Sequence, residues 1–215
     1  LSQIVIFGVT GYAGGNIARE LVRRGHSITG VARTADLTLD GVEVVTGSIA
    51  DVELLRSTAA GADHLVVAIP ASPRQEGDAA LLDTVPDLIR TAIDAGARLS
   101  FVGGAGSLHV ADGGPRLYET PGFPQEYKAE AVAHGAVLDA MRESPAELDW
   151  FYVSPGAGFG SWNAGERTED FRLGGDVLLS DADGHSDISG ADYAIAYADE
   201  IERGAHPRQR FTVSY

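Results

Sequence analysis

Ile4-Val5-Ile6-Phe7-Gly8-Val9-Thr10-Gly11-Tyr12-Ala13-Gly14-Gly15 reads as a strand, a glycine turn and the start of a helix. Its opening apolar run is too short for a helix and suits a buried strand. Ile17, Ala18, Leu21 and Val22 then follow at helical spacing. Gly8 permits a tight turn, Gly11 admits backbone N–H groups close to a pyrophosphate, and Gly14 lets the helix approach the strand. The start of a helix adds unpaired donors and a partial positive charge. In this order, at the head of a chain that alternates strands and helices, the turn points to a dinucleotide site. Thr10, Tyr12 and Ala13, in the same turn, join the three glycines as candidate contacts.

Outward from that turn the alternation continues. Strands are predicted at Ser27–Arg33, Val42–Val45, His64–Ile69, Leu99–Val102 and Trp150–Val153. Helices are predicted at 51–60, at 79–95 with an irregularity near Pro86, and at 127–142. This is an α/β pattern, and it predicts a Rossmann-type doubly wound parallel sheet of order 3-2-1-4-5-6. Short strands are expected at 171–173, 177–179 and 211–215, with a last helix at 191–202. Residues 1–215 form one domain in this reading, with 156–190 and 205–215 as a small C-terminal substrate lid beyond the strand ends.

Composition narrows the classes. A chain of 215 residues with 44% hydrophobic content suits one soluble globular domain. No run approaches the roughly 20 apolar residues of a membrane helix, so no membrane partner is expected. There is no cysteine, hence no disulfide, thiol nucleophile or cysteine-bound metal, and a cytoplasmic location is expected. A net charge of −15 argues against a nucleic-acid partner. The expected partner is a small-molecule substrate, and the chain is expected to be a monomer or a homodimer.

Further segments carry a resemblance. Gly8-x-Thr10-Gly11-x-x-Gly14, Gly47-Ser48-Ile49-Ala50-Asp51, Phe151-Tyr152-Val153-Ser154-Pro155-Gly156 and Ser186 to Ala194 resemble motifs of the short-chain dehydrogenase/reductase superfamily. Ser48 departs from the second of these motifs. The chain is most similar to the small atypical members described as NAD(P)H-binding, NmrA-like or NADH-flavin reductase-like. The resemblance implies that Asp51 lies beside the adenine and that Pro155 and Gly156 border the nicotinamide. Asp51 reads equally well as a helix N-cap.

The second strand ends Val31-Ala32-Arg33-Thr34, with no carboxylate before Asp36. A carboxylate there would bind a ribose 2′-hydroxyl, whereas Arg33 suits a 2′-phosphate. NADP(H) is therefore the expected cofactor, with NAD(H) usable.

The superfamily's Tyr-x-x-x-Lys pair is broken, because Lys128 has Pro124 where the tyrosine belongs. Lys128 is a candidate ribose contact, and Ser107 a candidate substrate-orienting serine. Tyr127 is a candidate proton donor if the helix entry turns it inward. His109 fits a polar loop residue better than an acid–base group. Phe159, Trp162 and Phe123 suit either a stacking surface for a flat acceptor or the core of a lid. The 181–187 run lacks the glycine and glutamate of a calcium loop, and Asp183-Gly184 reads as a hairpin turn. The leading expectation is an NAD(P)H-dependent oxidoreductase that transfers hydride to a flavin, quinone or small carbonyl compound. A non-catalytic NADP(H)-binding redox sensor is the alternative, and a sugar-nucleotide epimerase or dehydratase a third.

Overall fold

The computed structural model describes residues 1–34 and 38–215. Asp36 lies outside the described residues. The elements are β1 (Gln3–Phe7), α1 (Tyr12–Arg23), β2 (Ser27–Ala32), β3 (Val42–Thr46), α2 (Val52–Ala59), β4 (His64–Val67) and α3 (Leu81–Ala95). They continue as β5 (Arg98–Val102), α4 (Gln125–Arg142), β6 (Trp150–Pro155), β7 (Arg172–Gly174), α5 (Gly190–Arg203) and β8 (Gln209–Ser214). One sheet has the order β3-β2-β1-β4-β5-β6-β8-β7, so the expected 3-2-1-4-5-6 core is present. Every described pairing is parallel except β7 with β8.

Strand periodicity divides the core. Ile4 and Ile6 face one side with Phe151, Val153, Phe211 and Val213, against Ile17 and Leu21 of α1 and Tyr193 and Tyr197 of α5. Val5 and Phe7 face the other with Leu65, Leu99 and Trp150, against Leu55, Leu88 and Leu138 of α2, α3 and α4. Alternation along each strand feeds both layers, as a sheet covered on two faces requires. α3 continues through Pro86 without interruption. Proline removes only the bond to the Leu82 carbonyl, and Leu82 is exposed. Among the described residues, no helix is long and apolar enough to cross a membrane.

The C-terminal quarter contributes two strands, β7 and β8, to the sheet. β8 pairs with β6 from Phe151↔Gln209 to Pro155↔Val213, and Phe211 and Val213 are core residues. Of residues 205–215, 209–214 thus enter the sheet, because α5 returns the chain parallel to β6. Residues 177–179 do not form a strand; Val177 makes only an isolated bridge to His109. Asp183-Gly184 is a turn closed by Asp181 N–H to His185 O at 2.8 Å, without paired strands on either side.

Candidate nucleotide site

At the carboxyl end of β1, Gly8 takes a φ of +83°, the left-handed region that favours glycine. The Gly8 N–H donates to Val31 O at 3.0 Å and its carbonyl accepts from Gly11 N–H at 3.0 Å, which ties the turn to β2 and closes it. A Cβ on Gly14 would collide with the Gly8 carbonyl, so α1 lies as close to β1 as backbone allows. The first helical bond runs from Gly15 N–H to Gly11 O at 2.8 Å, leaving the Tyr12, Ala13 and Gly14 N–H groups ahead of it. No side chain caps this end, and its first turn holds no acid. That is a donor set suited to an anion.

The turn floors a cavity of about 340 Å³ at the carboxyl ends of β1, β2, β3 and β4. Gly8, Thr10 and Gly11 line one side, Val31 to Arg33 a second, and Gly47 to Ala50 a third. The remaining wall is a strap between β4 and α3, including Pro70, Ser72, Pro73, Arg74, Gly77 and Asp78. One end of the strap is fixed by α4. Glu130 accepts from the Ala71 N–H at 2.7 Å and the Ser72 N–H at 2.9 Å, and its carboxylate lies 3.1 Å from the His134 ring. Burial works against ionisation of Glu130, yet the His134 ring and the two amides outweigh it and hold its pKa at about 2. At the other end Asp78 accepts from the Arg74 and Gln75 N–H groups at 3.1 and 3.2 Å and from Arg33 Nη1 at 2.8 Å.

Residues 8–198 match the family described as NAD(P)H-binding. The chain belongs to that NAD(P)H-binding family. YwnB of Bacillus subtilis strain 168, itself an uncharacterized protein, is 36% identical over 98% of this chain and 97% of its own. The crystal structure of a provisionally named exported protein of Burkholderia pseudomallei is 38% identical, with TM-score 0.86 and 100% of both chains covered. A provisionally named NADH-flavin reductase of Streptococcus pneumoniae TIGR4 is 31% identical, with TM-score 0.82, covering 100% of this chain and 99% of its own. The resemblance to small atypical short-chain dehydrogenase/reductases holds over the whole chain.

The residues fit the nicotinamide nucleotide of this NAD(P)H-binding family: an uncapped helix start, a glycine cradle that a Cβ would fill, and a cationic side chain on the cavity wall. Of the candidate contacts, Gly8, Thr10, Gly11 and Arg33 meet on this cavity. Tyr12 turns to the C-terminal segment. Its hydroxyl accepts from Gly190 N–H at 3.0 Å and its ring lies 5.3 Å from Phe159. Asp51 is not part of the wall; its carboxylate caps α2 by accepting from Glu53 and Leu54 N–H at 3.0 and 3.1 Å.

The catalytic candidates are dispersed. Lys128 is half-buried in the first turn of α4, without an ion pair among the described residues and outside the cavity wall. Tyr127 is 60% exposed, so the inward turn that proton donation needs is not made; the helix start directs it to solvent. Ser107 is buried, its hydroxyl and carbonyl accepting from Arg210 at 2.9 and 3.2 Å. Pro155 ends β6, and Gly156 donates to Val213 O at 2.9 Å; neither lines the cavity. His109 Nδ1 lies 2.6 Å from Gly114 O, a loop role. Phe159 packs 4.7 Å from the Tyr193 ring, Phe123 is half-buried, and Trp162 is exposed. Arg167 is engaged by Glu20 at 2.8 Å. Asp181, Asp183 and His185 cluster but are all exposed.

Residues not anticipated from the sequence are Asp78, Glu130 and Arg210. Arg210 has a fully buried side chain that also reaches Asp176 at 2.7 Å and Ser154 at 3.2 Å. One signal was present: Arg210, Thr212 and Ser214 alternate with Phe211 and Val213. That alternation marks a polar face on a strand.

Proposed function

We propose that the chain is an NADPH-preferring reductase of the atypical short-chain type, passing hydride to a flavin, a quinone or a small carbonyl compound, with NADH as a usable second donor. The observation that carries this reading is Arg33 on the wall of the cavity that the glycine turn floors. At the end of β2 stands a guanidinium, with no carboxylate among the described residues of that strand end, which supports a ribose 2′-phosphate as the group bound. The start of α1 would hold the pyrophosphate, and Lys128 is the candidate ribose contact. The reduced nicotinamide supplies the hydride when bound. An oxidised flavin or quinone takes that hydride and then a proton from solvent, so no fixed acid of this chain is required. The name of the Streptococcus relative supports such an acceptor.

A redox-sensing role has one observation on its side, the exposure of Tyr127, which is therefore not turned inward as a proton donor. A fluorescence titration with NADPH and NADH, followed by flavin, quinone and aldehyde acceptors, separates the readings. Micromolar NADPH binding with acceptor-dependent oxidation is the expected result. Binding without oxidation favours the sensor, and no binding of either nucleotide overturns both.

A further inference from the structure

Resting on that reading, the structure assigns a second determinant of nucleotide choice, outside β2. Arg33 and Asp78 line the same cavity, and Arg33 Nη1 donates to Asp78 Oδ1 at 2.8 Å. Asp78 is the more enclosed partner, with 21% of its side chain exposed against 59% for Arg33. Its other oxygen is held by the Arg74 and Gln75 amides, so the carboxylate is fixed while the guanidinium can swing. We propose that Asp78 is a specificity-determining residue: it competes with a ribose 2′-phosphate for Arg33 and restrains the preference for NADPH over NADH.

A 2′-phosphate that takes Arg33 must break this pair and then sit beside a stranded carboxylate of like charge. A 2′-hydroxyl meets no such conflict, because Asp78 can accept from it while still paired with Arg33. The carboxylate that an NAD site usually carries at the end of β2 is here delivered by the strap after β4. The strap is anchored separately, through Glu130 to Ala71 and Ser72, so loss of the Asp78 charge leaves that anchor in place. Asparagine retains an acceptor oxygen for the Arg74 and Gln75 amides.

The test is a set of Kd values for NADPH and NADH with wild type, Asp78→Asn, Arg33→Met, the double variant, and Glu76→Gln as a control for charge in the same strap. Glu76 is exposed and does not line the cavity. Asp78→Asn is expected to tighten NADPH by about threefold to tenfold, the range for a partly exposed charge pair, and to leave NADH equal or weaker. The gain should vanish in the Arg33→Met background and be absent in Glu76→Gln. An unchanged NADPH-to-NADH ratio in Asp78→Asn overturns the proposal while leaving the reductase reading intact. An equal gain in Glu76→Gln overturns it too, by tracing the effect to net charge. Wild type that binds neither nucleotide overturns the reductase reading and this proposal with it.

Discussion

Glu130, in the second turn of α4, accepts the Ala71 N–H at 2.7 Å and thereby fastens the strap that walls the nucleotide cavity. Ala71 lies four residues beyond the end of β4, where a Rossmann-type sheet reverses its strand order and leaves a crevice. The anchor therefore links a helix remote from the glycine turn to the geometry of the site.

Glu130→Gln tests the anchor. The amide keeps one acceptor oxygen but turns a donor toward one of the two N–H groups. Stability should fall by about 1–2 kcal/mol, and the Kd for NADPH should rise by about threefold to tenfold as the strap loosens. Its pH dependence has a definite sign. A carboxyl whose folded pKa is about 2, below its ordinary value of 4.5, contributes stability above pH 4.5 and loses it as pH falls toward 2. Urea denaturation between pH 2 and 6 should show a shallower acid loss in the variant than in wild type.

The glycine turn separates folding from binding. Gly14→Ala puts a Cβ onto the Gly8 carbonyl and should cost about 1–3 kcal/mol, by forcing α1 off β1. A Cβ on Gly11 lies 3.3 Å from the Gly8 carbonyl, a contact that small shifts relieve. Gly11→Asp should therefore keep most of the stability while placing a negative charge at the start of α1, where phosphate is expected. Thermal melts paired with nucleotide titration should show a destabilised Gly14→Ala, and a folded Gly11→Asp with NADPH affinity reduced more than about tenfold. Retained affinity in a folded Gly11→Asp would remove the turn from the site.

Legibility in the sequence followed the range of the interaction. Ile4 to Phe7 and the glycines after them could be read because alternation and backbone space are local demands. Arg33 could be read because its place at the end of β2 follows from the strand. Asp78 and Glu130 could not, and Arg210 only as a polar strand position, since each matters through a partner 45, 59 and 103 residues away. Asp51 shows the reverse case. Its carboxylate accepts from N–H groups two and three residues on, the local helix cap that the sequence offered beside an adenine contact. Of the three short C-terminal strands expected, 171–173 and 211–215 correspond to β7 and β8 and 177–179 to none, and nothing in their own residues showed that β8 inserts between β6 and β7.

His64, at the start of β4 and away from the strand ends that form the cavity, gives a pH effect independent of function. Burial lowers its pKa to about 4, and the Arg98 guanidinium adds to the shift. A histidine kept neutral in the fold contributes stability above its ordinary value of 6.5 and loses it as pH falls toward 4. The loss on going from pH 7 to pH 4 should be on the order of 2–3 kcal/mol. His64→Leu should flatten that part of the stability profile and leave the NADPH Kd at pH 7 within about twofold, since no cavity contact changes. An unaltered profile between pH 7 and 4 would show that His64 titrates as an ordinary exposed imidazole.

Ser107 can be assigned by setting stability against turnover. Its hydroxyl accepts from a guanidinium whose side chain is fully buried, at 2.9 Å, and the same Arg210 spans Ser154 and Asp176. Such a hydroxyl is part of the packing of β8 against the loop after β5. Ser107→Ala should cost about 1.5–3 kcal/mol, the range for a hydrogen bond to a charged group, and should change kcat by less than about threefold. Arg210→Met should cost about 2–4 kcal/mol, because it leaves the Ser107 and Ser154 hydroxyls and the Ser107 carbonyl without this donor, while half-exposed Asp176 keeps Arg142 at 2.8 Å. A substrate-orienting serine would behave in the opposite way: kcat would fall by about a hundredfold or more in Ser107→Ala while the urea midpoint stayed in place. Measuring both quantities on the same preparation decides between the two, and the buried geometry predicts that stability moves and turnover does not.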